Sequence, residues 1–106
     1  MTLADARRLA LALPGATEAP HFDYTSFRVG GRIFATAPPG GAALHVFVGE
    51  DVREPTLALH GGHVEKLPWG AKVVGLRVHL AKAPEAMVKA LLRQAWECKA
   101  PKKLLR

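Results

Sequence analysis

Glu18 and His21 are the first side chains in the sequence whose types and spacing could support catalysis. A carboxylate and an imidazole can act as a general acid–base pair when a pocket holds them together. The alternative is structural: Glu18 accepts hydrogen bonds from backbone N–H groups, and the His21-Phe22 segment closes a loop over the core. We favour the structural interpretation, because only a pocket and a shifted pKa would indicate catalysis.

Other side chains have the chemistry of a nucleophile or of a metal ligand. Ser26 is the only serine and does not lie in the Gly-x-Ser-x-Gly motif that exposes a catalytic serine. Cys98, the only cysteine, excludes an internal disulfide and a cysteine-built zinc site. His60 and His63 flank two glycines near Glu65, but this set lacks a complete zinc coordination shell. We therefore predict no catalytic residue, no metal site and no cofactor.

The positive charge of the chain is concentrated in its second half. The net charge is +6 at pH 7, and residues 55–106 carry ten basic and three acidic side chains, against five and six in residues 1–54. Four of the basic residues fall near the end: Lys99, Lys102, Lys103 and Arg106. Such a patch attracts polyanions through its long-range field and through counterion release. A frayed basic terminus that only increases solubility is the alternative.

Length and composition indicate a single globular domain over residues 1–106. The hydrophobic share of 49% and the charged share of 23% are typical of globular proteins. The longest apolar run, residues 9–13, is too short to span a bilayer. Asp5, Arg7 and Arg8 interrupt the segment where a signal peptide needs an apolar core. These features predict a cytoplasmic protein that does not bind membranes.

The first third of the sequence predicts a helix followed by a hairpin. A capping-box spacing and helical apolar periodicity predict a helix over about 3–13, and residues 16–23 are expected to form a loop. Residues 24–29 and 32–36 are rich in β-branched and aromatic types, which predicts two strands. Gly30-Gly31 between them supplies the positive φ angles that a two-residue hairpin turn requires.

The turn residues also predict the register of this hairpin. With Gly30-Gly31 as the turn, Phe27 lies opposite Phe34, and the two are expected to form a cross-strand aromatic pair in the core. Arg28 and Ser26 then point to the opposite face of the sheet.

The remaining segments alternate between strand and helix patterns. Further strands are expected at 43–48, 63–67 and 72–80. Pro55 argues against one continuous helix over 50–59. A helix over about 84–98 is expected to cover the sheet with the stripe Val88, Leu91, Leu92, Ala95 and Trp96. The order of elements predicts an α+β fold of two layers, in which the N- and C-terminal helices pack on one face of an antiparallel sheet.

Several short motifs together resemble the MmcQ/YjbR family across most of the chain. They are Leu13-Pro14-Gly15, Glu18, His21-Phe22, Phe27-Arg28-Val29-Gly30-Gly31-Arg32-Ile33-Phe34-Ala35, Ala95-Trp96 and Ala100-Pro101-Lys102-Lys103-Leu104. The resemblance implies a CyaY-like, double-wing fold, and it implies DNA as a partner. Arg32 stands where the family usually has lysine, and Val73-Val74 stands where many members have Gly-Trp.

We predict that the outer sheet face and the basic tail bind nucleic acid without catalysis. Cations that contact phosphates and rings on which bases stack are the groups that such surfaces use. The predicted nucleic-acid-binding residues are Arg28, Arg32, His45, Phe47, Lys72, Arg77, His79, Lys99, Lys102 and Lys103. An ordinary solvated sheet face is the alternative for its outer-face members.

Two other classes of function remain open on the sequence. One is a small-molecule-binding or enzymatic domain with a pocket near Glu18, His21 and Trp69. The other is a protein-interaction module, which requires a contiguous apolar patch on the outer face.

Overall fold

The computed structural model describes residues 1–105 as a six-stranded antiparallel sheet with three α-helices. The elements in chain order are α1 (Leu3–Leu11), β1 (Thr17–His21), β2 (Tyr24–Val29), β3 (Arg32–Ala37), β4 (Ala43–Val46), α2 (Glu50–His60), β5 (Val64–Trp69), β6 (Lys72–His79) and α3 (Glu85–Lys99). Short 3-10 turns span Leu80–Lys82 and Lys102–Leu104. The strand order in the sheet is β1-β2-β3-β4-β6-β5.

The terminal helices α1 and α3 pack against each other and against the central strands, which confirms the α+β arrangement. Thr2 and Asp5 form a reciprocal capping box at the start of α1. The buried residues of α3 are Met87 and the whole stripe expected from the sequence: Val88, Leu91, Leu92, Ala95 and Trp96. Within residues 1–105, no helix is both long and apolar enough to cross a membrane.

The core lies between these helices and the inner face of the sheet. Its fully buried strand residues include Phe27, Val29, Phe34, Ala35, Leu44, Val46, Leu76 and Val78. Burial of a large apolar side chain contributes about 1.5–3 kcal/mol, so this face is the main source of stability.

The β2–β3 hairpin has the predicted turn but not the predicted aromatic pair. Gly30 and Gly31 both adopt positive φ angles, 57° and 78°, which confirms the two-residue turn. A bulge between Phe27 and Arg28 shifts the register, so that Phe27 lies opposite Ala35. The expected pairing of Phe27 with Phe34 is therefore wrong, although both rings are fully buried. An inserted residue is a common way to increase the local twist of a sheet.

Residues 17–21 form strand β1, where a loop was expected over 16–23. The segment is largely exposed and carries Pro20, which hides the alternation of a half-buried strand. β1 is an edge strand that pairs only with β2. Pro20 and Pro68 occupy the two edge strands. A proline there removes no hydrogen bond between central strands. Its missing N–H also discourages pairing of the edge with another chain.

The interpretation of Pro55 as a break is also wrong, because α2 runs through it from Glu50 to His60. The ring lies on the exposed side of a helix that has no fully buried residue. Such a helix can adjust toward solvent around a proline without disturbing a packed core. Arg53 additionally fixes the start of α2, because its Nη1 donates to the carbonyl of Val48 at 2.8 Å.

Gly75 on β6 lies directly against the backbone at the end of β4. An ideal Cβ at this position would lie 2.9 Å from the carbonyl carbon of Val46 and 3.0 Å from Cα of Phe47, and closer still to the Val46 oxygen. β4 ends there, two residues before the predicted end, while Phe47 N still donates to Phe34 O at 3.2 Å.

The C-terminal segment packs against two turns that are distant in sequence. An ideal Cβ on Gly30 would lie 2.8 Å from Pro101 Cγ, and one on Gly15 would lie 3.0 Å from Leu104 Cδ1. Leu104 also packs against the core. Trp96, 1% exposed, donates its indole N–H to the carbonyl of Pro14 at 2.8 Å. The tail is thus docked as far as it is described; Arg106 lies outside the described residues.

Candidate nucleic-acid interface

A row of polar side chains crosses the outer face of the sheet from β2 to β5. The register aligns Ser26, Thr36, His45, Arg77 and Glu65, one on each of five successive strands. Directly opposed residues point to the same face, so this row, opposite the helices, is continuous. The strand parity assigned from the sequence to His45 and Arg77 is therefore correct.

Two long side chains of β2, those of Arg28 and Tyr24, approach members of this row. Arg28 Nε donates to Ser26 Oγ at 3.0 Å, and the ring of Tyr24 lies 6.1 Å from that of His45. Ser26 Oγ in turn donates to Ala19 O at 2.7 Å. His45 is only 6% exposed, so the expectation that it lies on a solvent-exposed surface is wrong. Phe47, where the chain leaves β4, is half-buried.

Arg77 and His79 on β6 are engaged by the carboxylate of Glu65. Arg77 Nη1 donates to Glu65 Oε1 at 3.0 Å, and His79 Nε2 lies 3.3 Å from the same oxygen. Arg77 also donates from Nε to His45 Nε2 at 3.1 Å. The hydrogen bond with Arg77 lowers the pKa of Glu65, so the carboxylate stays charged at neutral pH. His45, Arg77 and His79, all predicted outer-face residues, therefore form an internal network around one acid, Glu65.

Burial lowers the pKa of His45 below its ordinary value of 6.5, and the positive charge of Arg77 lowers it further. The folded protein therefore holds this imidazole neutral, with Nε2 free to accept from Arg77. The unfolded chain binds its proton at a higher pH than the folded chain does. His45 thus stabilises the fold fully above about pH 6.5, and this contribution is lost as the pH falls below that value toward the folded pKa.

We expect the free energy of unfolding in urea to decrease between pH 7.5 and pH 5.5, and to decrease less in His45→Gln. Glutamine keeps an oxygen acceptor for Arg77 but does not titrate. Equal pH dependence of the two proteins would show that burial of His45 has no effect on proton binding.

Two hairpin turns lie at the same end of the sheet, which we call the hairpin end. Val46 on β4 pairs with Ala35 on one side and with Leu76 on the other. β3 and β6 both run toward these residues from their turns, at Gly30-Gly31 and at Gly70-Ala71. The turns are separated by about three strand spacings, or roughly 14 Å.

The docked tail brings basic residues to the first of these turns. Pro101 contacts Gly30, Lys102 and Lys103 follow it directly, and both lysines are exposed. We call the basic residues around this turn the tail cluster: Arg28, Arg32, Lys99, Lys102 and Lys103. Arg32 pairs with Val29, whose side chain is in the core, and so belongs to the helix-bearing face, whereas Arg28 lies on the outer face. The predicted site residues are thus divided between two surfaces.

No member of the tail cluster has a carboxylate partner among the described residues, and the same is true of Arg53, Lys66, Lys72, Lys82 and Lys89. The tail cluster is distinguished by bringing five such residues to one turn. Four arginines elsewhere are neutralised, in the pairs Arg7–Glu18, Arg8–Asp5, Arg8–Glu85, Arg77–Glu65 and Arg93–Glu97. Charges without a local counter-charge dominate the field that an approaching anion meets.

The second turn carries an aromatic and a basic residue. Trp69 at the end of β5 is 79% exposed, and its cross-strand partner is Lys72 at the start of β6, which is also exposed. Lys72 was part of the predicted site, whereas Trp69 was not and was considered near a possible pocket.

Glu18, His21 and Trp69 do not share a pocket. An open cavity of about 400 Å³ beside β1 is lined by Glu18, Phe22 and Tyr24 but by neither His21 nor Trp69. β1 and β5 are the opposite edges of the sheet, so five strand spacings, or roughly 24 Å, separate the strand that carries Trp69 from the strand that carries the other two residues. Glu18 and His21 are three residues apart in one strand and point to opposite faces, which excludes a direct acid–base pair. Glu18 Oε1 instead accepts from Arg7 Nε at 2.8 Å, which joins β1 to α1.

Neither metal ligands nor an apolar outer surface come together in the described part of the chain. No group of three or more histidine, cysteine, aspartate or glutamate side chains there could hold a metal ion. The exposed large apolar residues are dispersed over different elements: Leu11, Phe22, Leu59, Trp69 and Leu105.

The chain was compared with curated proteins and with models of protein families. No curated protein matches the sequence. A family model, YjbR, matches residues 11–98, which include the Pro14 turn, the β2–β3 hairpin and Trp96 of α3. These are the parts that pack together around the docked C-terminal segment. With most of its length covered by that model, the chain belongs to the YjbR family.

Proposed function

We propose that the protein binds nucleic acid, with DNA as the partner, and that it does so without catalysis. The observation that carries this proposal is the concentration of unneutralised positive charge at the hairpin end. Arg28, Arg32, Lys102 and Lys103 surround one turn there, and none has a carboxylate partner among the described residues. Phosphates bound by such groups release counterions, which provides a favourable free energy that requires no base recognition.

The contribution of the outer face is smaller in this proposal than the sequence suggested. His45 is buried, and Arg77 and His79 both contact the carboxylate of Glu65. A phosphate that approached Arg77 would have to compete with this carboxylate. Arg28 is the member of the outer face that remains available to a phosphate.

The proposal predicts that Lys102→Ala/Lys103→Ala weakens binding of a labelled 20-mer DNA by about tenfold at low salt. The plot of log affinity against log salt should lose about two units of slope, because two phosphate contacts are removed. Fluorescence anisotropy titrations at several salt concentrations measure both quantities.

Lys82→Ala/Lys89→Ala is the matched control, because it removes the same charge from exposed positions away from the hairpin end. It should change the affinity by no more than about twofold. Equal losses in the two double variants would mean that only net charge matters. Absence of binding to duplex and single-stranded DNA at micromolar protein and low salt would refute the proposed function.

A further inference from the structure

We infer that the hairpin end prefers single-stranded nucleic acid, with Trp69 as a platform on which an unpaired base stacks. This inference rests on the proposed function and names the form of its ligand. The two tryptophans of the chain have opposite environments. Trp96 is 1% exposed and bonds to Pro14 O, whereas Trp69 is 79% exposed at the tip of a hairpin.

The backbone around Trp69 presents its ring away from the core. A register shift between Leu67 and Pro68 precedes it, and Gly70, with a φ angle of 61°, makes the turn directly after it. Leu67 is buried, and the chain is exposed from Pro68 through Lys72. The indole therefore stands on a paired β-hairpin, which holds its position better than an irregular loop would.

The charge around Trp69 suits the backbone of a nucleic acid. Lys72 lies directly opposite Trp69 and shares its face. Lys66 is exposed three residues earlier on the same strand and points to the other face. Glu65 is the only carboxylate in β5 and β6, and it pairs with Arg77 several residues from the turn. A base stacked on the indole would place its phosphates near cations and away from any acid of this hairpin.

Stacking distinguishes single strands from duplexes. The faces of bases are accessible in an unpaired strand, whereas in a duplex they are covered by neighbouring pairs. A ring on a hairpin tip therefore gains contact area only from an unpaired base. The roughly 14 Å between the two turns lets one strand contact both Trp69 and the tail cluster.

The experiment compares Trp69→Ala, Trp69→Phe and Leu59→Ala in anisotropy titrations with labelled dT20 and with a 20-base-pair duplex. Leu59, on α2, is 78% exposed and controls for the loss of an equally exposed apolar side chain. We expect Trp69→Ala to weaken dT20 binding roughly 5- to 100-fold and duplex binding by less than about twofold. Trp69→Phe should retain most of the affinity, and Leu59→Ala should bind as the parent does.

A second readout follows the ring itself. Stacking of thymine on Trp69 should quench part of the tryptophan fluorescence when dT20 is added, while the buried Trp96 contributes a constant background. Retained dT20 affinity in Trp69→Ala, alongside weakened binding in Lys102→Ala/Lys103→Ala, would overturn this inference and leave the proposed function intact. Equal losses on dT20 and duplex would also overturn it. If the parent protein binds neither DNA, the proposed function itself fails.

Discussion

Replacing Gly75 with alanine should destabilise the protein by about 3 kcal/mol or more. The added methyl group would overlap with the backbone of Val46 and Phe47 at the end of β4. Backbone cannot move aside as a flexible side chain can, so the two central strands would have to separate. Because Val46 and Leu76 pair beside this point and are both buried, the separation would open the core.

Gly62→Ala is the control for this substitution. No atom lies within 4 Å of an added Cβ at Gly62, and its φ angle is not in the positive region. Its free energy of unfolding should therefore stay within about 0.5 kcal/mol of the parent's. Urea denaturation of the three proteins measures both effects, and similar midpoints for Gly75→Ala and Gly62→Ala would contradict the close approach.

Replacing Trp96 with alanine should cost about 3–5 kcal/mol, as expected for the loss of a buried aromatic residue. The ring is 1% exposed, and its N–H satisfies the carbonyl of Pro14, so both a cavity and an unpaired acceptor would result. This loss is a large part of the roughly 5–15 kcal/mol that stabilises a typical domain.

Two further substitutions separate the contributions at Trp96. Trp96→Phe keeps much of the apolar contact and removes the hydrogen-bond donor, so it should cost less than alanine does. Trp69→Ala removes the same side chain from an exposed site and should change the stability by less than about 0.5 kcal/mol. Urea denaturation provides the values; equal losses at positions 69 and 96 would show that burial of Trp96 is not the cause.

The elements with strong periodicity could be predicted from the sequence because their signals are local. The apolar stripe of α3 and the glycine pair of the β2–β3 turn both occur in the structure. The predicted cross-strand pairing of Phe27 with Phe34 was wrong, because a bulge depends on twist and packing rather than on the turn residues. β1 and α2 were missed or doubted because each is mostly exposed and contains a proline.

The candidate interface could be predicted only in part. Alternation along β4 and β6 placed His45 and Arg77 on the correct face. Whether Arg77 is paired with a carboxylate depends on Glu65, which lies on the edge strand β5. The register of that strand cannot be predicted from local sequence. Glu65 lies in a segment where residue types alternate, and this alternation was the available indication of the face to which it points. Docking of the tail on Gly30 is likewise a long-range contact, visible only once the fold is known.

The position of α3 after all six strands has a consequence for synthesis of the protein. Residues 3–79 contain α1 and the entire sheet, but Trp96 must reach Pro14, 82 residues earlier, before the inner face is covered. On the ribosome, a nascent chain that ends before residues 85–99 exposes Phe27, Phe34 and Leu76 on an uncovered sheet. Exposed apolar strands of this kind aggregate readily, so chaperone binding to the nascent chain is expected to persist until α3 emerges.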